Sequence, residues 1–149
     1  MQFIKVTCNR ILALINKLNW LGPLLIRLTV GLVFVYTGWG KLHSLEQVTQ
    51  YFESLKIPAP GFHAVLVGSI ELVGGALLML GLATRIVAAL LIGTMAVALY
   101  TAILPDLHGV RDLAASIEFT YLAVFAWLLF AGAGRASVDQ LISTRLQKV

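Results

Sequence analysis

The sequence predicts an all-α membrane protein in which four transmembrane helices form a bundle, preceded by an N-terminal amphipathic helix. Of the 149 residues, 59% are hydrophobic and only 12% are charged, whereas soluble domains carry about 25% charged residues. Four apolar segments each approach the ~20 residues that an α-helix needs to cross a bilayer core. These spans are predicted at about residues 21–40, 62–82, 86–104 and 114–133.

Residues 1–19 are predicted to form a separate amphipathic element ahead of the transmembrane domain, residues 20–149. Its apolar residues recur at helical spacing and its basic and amide residues occupy the opposite face. This pattern is typical of a helix that lies in the membrane interface, although a partly ordered lead-in would also explain it. Interrupted hydrophobicity and the lack of a small-residue cleavage site argue against a signal peptide.

The connections between the spans differ in length and composition. The link between the second and third spans, at Thr84 and Arg85, is very short. These two spans should therefore form an antiparallel hairpin. The polar segment between the first two spans could hold a short surface helix that Pro58 and Pro60 would end. A segment marked by proline and glycine, PDLHGVRD, predicts a loop before the fourth span.

The distribution of basic residues predicts that both termini lie in the cytoplasm. Seven basic residues flank the cytoplasmic ends of the spans in this orientation and three flank the outer ends, as the positive-inside rule requires. The cytoplasmic set is Lys5, Arg10, Lys17, Arg85, Arg135, Arg145 and Lys148, and the outer set is Lys41, Lys56 and Arg111.

Glycines and charged residues share one face on each of the first two spans. Lipid gives membrane helices no hydrophobic reason to associate. Their contacts therefore depend on small residues, which let the two backbones approach closely. We therefore predict that Gly31, Gly38, Gly74 and Gly81 mark the packed faces, although glycine is common in membrane helices generally. The two stripes, spaced 4, 3, 4, 3 and 3, 4, 3, 4, are Arg27, Gly31, Phe34, Gly38, Lys41 and Glu71, Gly74, Leu78, Gly81, Arg85.

Ionisable residues within the spans are predicted to pair between helices. A lone charge at the bilayer centre costs at least ~3 kcal/mol, so such groups pair or face a wet cavity. Approximate depths in the bilayer predict two pairs, Arg27 with Glu71 and Lys41 with Glu118. The sequence leaves open whether these charges set helix register or handle a ligand or proton.

Several kinds of chemistry are disfavoured by the sequence. The basic residues are scattered between apolar runs, which argues against nucleic-acid binding. The single cysteine, Cys8, excludes an internal disulfide. The histidines, His43, His63 and His108, lack metal-ligand spacing and do not lie at mid-span, so neither a metal site nor a resident haem is predicted.

Aromatic residues, including Trp39 and Tyr121, collect at the predicted outer ends of the spans. Interfacial anchoring accounts for such a belt. The alternative is that a flat amphipathic ligand such as a quinone slots between these rings, near Glu118, Lys41 and His108.

Two long motifs resemble the DoxX family of four-helix bacterial membrane proteins, which includes the YphA-like inner-membrane group. They are RLTVGLVFVYTGWGKL and IELVGGALLMLGLATRIVAALL, followed by Glu118 ahead of the fourth span. The resemblance covers roughly residues 20–140 and implies a location in the bacterial plasma (inner) membrane. It also implies an intramembrane polar set, namely Arg27, Lys41, Glu71, Arg85 and Glu118.

The family is named after the small subunit of a thiosulfate:quinone oxidoreductase, so the resemblance implies a link to membrane redox chemistry. The first hypothesis is an accessory or scaffold subunit that docks a membrane or periplasmic redox partner. The second is a quinone-binding oxidoreductase subunit, with Trp39, His108 and Tyr121 as further ligand contacts. A small-molecule or proton transporter ranks third, since no interrupted helices are predicted. Catalysis, and assembly into a homo-oligomer, stay open.

Overall fold

The fold was established from a computed structural model, which describes residues 16–147. The predicted amphipathic helix at residues 1–19 lies almost entirely outside this range. All regular structure within residues 16–147 is helical, which confirms the all-α class. The helices are α1 (Leu21–His43), α2 (Leu45–Ser54), α3 (Pro60–Leu80), α4 (Thr84–Ala98), α5 (Val110–Ala115), α6 (Ile117–Ala131) and α7 (Val138–Leu146).

Three of the helices in this part of the chain are long and apolar enough to cross a membrane. They are α1, α3 and the segment Thr84–Asp106, which consists of α4 and its irregular continuation. The fourth apolar helix, α6, has 15 residues. It is shorter than the predicted span at 114–133 because Ser116 is extended, with ψ 138°, and separates α6 from α5.

Helices α1 and α3 pack antiparallel through glycine. A methyl group built on Gly31 would lie 2.8 Å from the carbonyl oxygen of Gly75, and one on Gly38 would lie 2.8 Å from that of Gly68. These separations are far below van der Waals contact, so the two backbones touch directly. Gly74 faces α4 instead, where its added carbon would lie 3.2 Å from Val87.

Helices α4 and α6 complete the bundle around an apolar core. Val87, Leu91 and Met95 of α4 belong to one buried cluster with Phe125 and Leu128 of α6. Phe34 of α1 joins the same cluster, and its ring meets those of Tyr121 and Phe125 edge to face, with centroids 5.1 and 5.0 Å away.

The third span is irregular at its far end, where the sequence predicted an uninterrupted helix over 86–104. Helix α4 ends at Ala98 and continues as a π-helical turn, Leu99–Ile103, and a 3-10 turn, Leu104–Asp106. Pro105 supplies the physical reason, because it has no amide hydrogen and its ring collides with the carbonyl four residues earlier. Turns of the π type occur frequently at functional sites.

The glycine contact between α1 and α3 yields a matched test on a single helix. Replacing Gly38 by alanine should lower the free energy of unfolding by about 1–3 kcal/mol, because the new methyl group meets α3 backbone. Gly40 has no neighbouring atom within 4 Å of an added carbon, so Gly40→Ala should be neutral or slightly stabilising. Thermal unfolding of the purified protein in detergent checks both, and equal melting temperatures for the two variants would contradict the packing.

Candidate functional site

A cavity of about 660 Å³ lies between α2, α3 and α4. Helix α2 contributes Val48, Tyr51 and Phe52, and the π-helical turn contributes Thr101 and Ala102. Most of the remaining wall is apolar, and the charged residues that line it are Lys41, Glu71 and Glu118. The cavity therefore combines a hydrophobic interior with a few polar groups, as ligand sites in proteins do.

An ion pair between Lys41 and Glu71 forms part of this wall. The ammonium group of Lys41 donates a hydrogen bond to Oε1 of Glu71. Glu71 is only 1% exposed while Lys41 is 30% exposed, so the lysine covers the carboxylate from the cavity side. The second carboxylate oxygen, Oε2, has no hydrogen-bond partner among the described residues.

The predicted pairing of the buried charges is wrong. Glu71 binds Lys41 instead of Arg27, and Lys41 does not pair with Glu118. The glycine contacts set this register, because Gly38 lies against Gly68 and Leu72 and so brings Lys41 level with Glu71. Arg27 lies about 20 Å further along α1, at ~1.5 Å rise per residue.

Glu118 lies in the first turn of α6 and is partly buried. It lines the same cavity as the ion pair and forms no ion pair within residues 16–147. Because Lys41 and Glu71 neutralise each other, Glu118 gives the wall a net negative charge when it is ionised.

The predicted ligand contacts Trp39, His108 and Tyr121 are not among the residues that line this cavity. Trp39 is 55% exposed and stacks on His43. His108 is exposed in the loop before α5, and Tyr121 packs against Phe34. A ligand role for these three residues stays a prediction, which the geometry of the cavity does not support.

Arg27 lies at the opposite end of the bundle and is fully buried, at 0% exposure. Its Nη2 donates to the carbonyl oxygen of Ala136 at 2.5 Å and its Nε to that of Pro23 at 3.4 Å. Gly81, with φ 67°, approaches so closely that an added side-chain carbon would collide with the guanidinium. Arg27 therefore ties the segment after α6 to α1 and α3.

Asp139, in α7, lies at the same end of the bundle as Arg27. Its two carboxylate oxygens accept hydrogen bonds from the backbone amides of Ala83 and Thr84, at 2.7 and 2.9 Å. Its own amide donates to the carbonyl oxygen of Gly81 at 2.9 Å. Asp139 thus caps α4 from another helix, satisfying amides that a helix start leaves unpaired.

Two groups of residues at these sites were missed by the sequence reasoning. Gly68 and Gly75 make the direct contact with α1, and a search for all helically spaced glycines on α3 would have included them. Asp139 is preceded by the glycine-rich segment AGAGRAS, which is typical of a chain reversal. That signal could have indicated that the residues after α6 fold back onto the bundle.

Within residues 16–147, no three His, Cys, Asp or Glu side chains cluster in a way that could hold a metal ion. Arg85, the remaining member of the predicted polar set, is exposed at the start of α4. Its Nη2 donates to the carbonyl oxygen of Phe130 at 3.3 Å. The five residues of that set are therefore divided between the two ends of the bundle.

The Lys41–Glu71 pair predicts a non-additive mutant cycle. Lys41→Met should lower the free energy of unfolding by about 3–5 kcal/mol, because it leaves a buried carboxylate without a cation. The double variant Lys41→Met/Glu71→Met should recover most of that loss. Lys56→Met, at an exposed lysine outside the cavity wall, is the control. If Lys41→Met melts at the same temperature as Lys56→Met, the pair contributes nothing to stability.

The Asp139 cap predicts a graded loss of stability. Asp139→Ala removes both hydrogen-bond acceptors and should lower the free energy of unfolding by about 1–2 kcal/mol. Asp139→Asn keeps one carbonyl oxygen and should lower it by less. Gln140→Ala is the neighbouring control, since the Gln140 side chain makes no hydrogen bond among the described residues. Unfolding in detergent measures the series, and a neutral Asp139→Ala would disprove the cap.

The comparisons with known proteins agree with the membrane fold. A Bacillus subtilis protein named "Putative oxidoreductase CatD" is 40% identical over 86 residues, 58% of this chain and 63% of that protein. The match thus spans less than two thirds of CatD. Rv3486, a membrane protein of Mycobacterium tuberculosis, is 37% identical over 131 residues, 80% of either chain.

The inner membrane protein YqjF of Escherichia coli is 28% identical over 130 residues, 87% of this chain and 98% of YqjF. No solved structure is significantly similar to the chain. The DoxX family profile matches residues 22–104, which is more than half of the sequence. This protein is a membrane protein that belongs to the DoxX family.

Proposed function

We propose that the protein is an accessory membrane subunit of a redox assembly, and that it contributes a binding site for a quinone. The observation that carries this proposal is the cavity of about 660 Å³ with Lys41, Glu71 and Glu118 on its wall. Pockets for small molecules have volumes of about 300–1,000 Å³ and combine apolar walls with few polar groups. A quinone head with part of an isoprenoid tail matches that description.

The polar groups of the cavity match the chemistry of a quinone head. Lys41 uses one of its three N–H bonds on Glu71 and is 30% exposed, so the others can donate to a quinone carbonyl. Glu118 can accept a hydrogen bond from the hydroxyl of the reduced form. These residues would bind and orient the head group, while electrons would come from a partner protein.

The open side of the cavity suits a ligand that arrives from the bilayer. Leu66 of α3 and Leu90 and Val97 of α4 line it and are 40%, 51% and 52% exposed. Because these helices span the membrane, the exposed apolar edges between them face lipid. A hydrophobic ligand could therefore enter laterally without crossing the aqueous phase.

The relatives support a redox setting and an inner-membrane location. CatD is named "Putative oxidoreductase CatD", and YqjF is named an inner membrane protein. We extend both properties to this chain as part of the proposal, with the amino and carboxyl termini in the cytoplasm. In this orientation the described residues Lys17, Arg85, Arg135 and Arg145 flank the cytoplasmic ends of the spans. A separate redox partner follows from the accessory role, and a homo-oligomer is compatible with it.

Filling the cavity tests the proposal. Gly93 lines the cavity and has no atom within 4 Å of an added side-chain carbon, so Gly93→Leu should occupy ligand space without disturbing the fold. We expect the affinity for decylubiquinone or menaquinone-4 to fall at least tenfold, about 1.4 kcal/mol. Binding is measured by equilibrium dialysis in detergent, with the quinone quantified by mass spectrometry.

Two comparisons make this experiment specific. Gly40→Leu adds the same side chain to an open position outside the cavity and should bind quinone like the parent. Glu118→Gln removes the unpaired charge and should weaken binding, whereas Glu46→Gln, at an exposed glutamate outside the wall, should not. If the parent binds neither quinone, or if Gly93→Leu binds as well as Gly40→Leu, the quinone site is disproved.

A further inference from the structure

A second cavity, of about 500 Å³, lies at the end of the bundle occupied by Arg27 and Asp139. It is formed by the start of α4, the segment after α6 and one face of α7. It is separate from the proposed quinone cavity, because no residue lines both. Arg85 and Arg135 are the cationic residues on its wall.

The charge of this second cavity is not balanced within the described residues. Asp139 is the acidic residue of the wall, and both of its oxygens bind backbone amides of Ala83 and Thr84. Neither Arg85 nor Arg135 has a carboxylate within 4 Å in residues 16–147. Arg85 donates one of its five N–H groups to the carbonyl oxygen of Phe130. Two guanidinium groups on one cavity favour a phosphate-type anion, which they bind through paired N–H donors.

The surroundings of the cavity add a lipid-facing apolar surface to the two cations. Ile86 and Leu90 lie one turn apart on the outer face of α4 and are 67% and 51% exposed; Leu90 also lines the open side of the proposed quinone cavity. Trp127 and Phe130 lie on the outer face of the neighbouring α6 and are 43% and 79% exposed. These exposed rows run from the cavity toward the middle of the membrane, where acyl chains lie.

Helix α7 is separated from the apolar helix α6 by residues 132–137. It exposes Leu141 and Leu146, at 67% and 72%, beside polar residues, and this mixed surface is the reason for assigning the cavity to the level of the lipid head groups. Such a helix is suited to the membrane interface. Basic pockets between helices at this level bind the head groups of anionic lipids.

We propose that this cavity binds the phosphate of an anionic glycerophospholipid between Arg85 and Arg135, with the acyl chains along the exposed rows of α4 and α6. The head-group cavity shares no lining residue with the proposed quinone cavity, and the proposal does not rest on the quinone function. Occupation would link α4, α6 and α7 and so stabilise this end of the bundle.

The test uses the full chain, purified in detergent and stripped of lipid. Dioleoylphosphatidylglycerol should remain bound in native mass spectra and raise the melting temperature, whereas dioleoylphosphatidylcholine at the same mole fraction should not. Arg135→Gln should weaken phosphatidylglycerol binding at least tenfold. Arg111→Gln, at an exposed arginine in α5 at the other end of the bundle, should bind like the parent.

Additional ligands and a conservative variant show whether the bound phosphate belongs to a lipid, and whether a loss of binding comes from the changed side chain and not from misfolding. Inorganic phosphate and glycerol 3-phosphate should stabilise the parent far less than the lipid does; equal stabilisation would indicate a soluble anion and overturn the lipid site. Arg85→Lys keeps the charge but loses the forked donor and should bind with intermediate affinity. Binding to the parent should also weaken steeply with salt. Equal binding of both lipids, or equal losses in Arg135→Gln and Arg111→Gln, would overturn the proposal.

Discussion

The direct backbone contact between α1 and α3 controls the arrangement of the rest of the molecule. Gly31 and Gly38 lie against Gly75 and Gly68 so closely that not even a methyl group fits between the helices. A contact of this kind permits little sliding, since a shift by one turn would bring side chains into the same space. The depth of every charge on these two helices is consequently fixed by the glycines.

That fixed register separates the buried charges into two centres with different environments. At one end Lys41 and Glu71 border an apolar cavity that α2 and the irregular end of the third span enclose. At the other end the buried Arg27 donates to the carbonyl oxygens of Pro23 and Ala136. Lys41, Glu71 and Glu118 line the first cavity themselves, which makes that centre the candidate ligand site. Arg27 lines neither cavity, and its hydrogen bonds to backbone carbonyl oxygens tie the segment after α6 to α1.

The sequence was sufficient for the fold class and for the packed face of α1, because both depend on local spacing along a helix. It was not sufficient for α3, where Gly68 and Gly75 contact α1 and the predicted Gly74 faces α4. It also indicated that Arg27 and Glu71 avoid lipid, and they are 0% and 1% exposed. Their partners could not be derived, since depths counted from approximate span limits do not fix the register of two helices. Asp139 and the Ala136 carbonyl were missed because they come from a segment that folds back after α6. The cavity depends on the position of α2 against α3 and α4 and on the π-helical turn at Leu99–Ile103. Neither feature produces a periodic pattern in the sequence from which it could be predicted.

The cap that Asp139 places on α4 has a consequence for how the protein is made. Residue 139 leaves the ribosome after all of the membrane helices have been synthesised, yet it supplies the acceptors for the amides at Ala83 and Thr84. Until then the α3–α4 hairpin has an unfinished end, and Arg27 lacks the Ala136 carbonyl. Final closure of the bundle must therefore await the segment that follows α6. A nascent chain truncated before this segment would remain a loosened assembly that quality-control proteases can recognise.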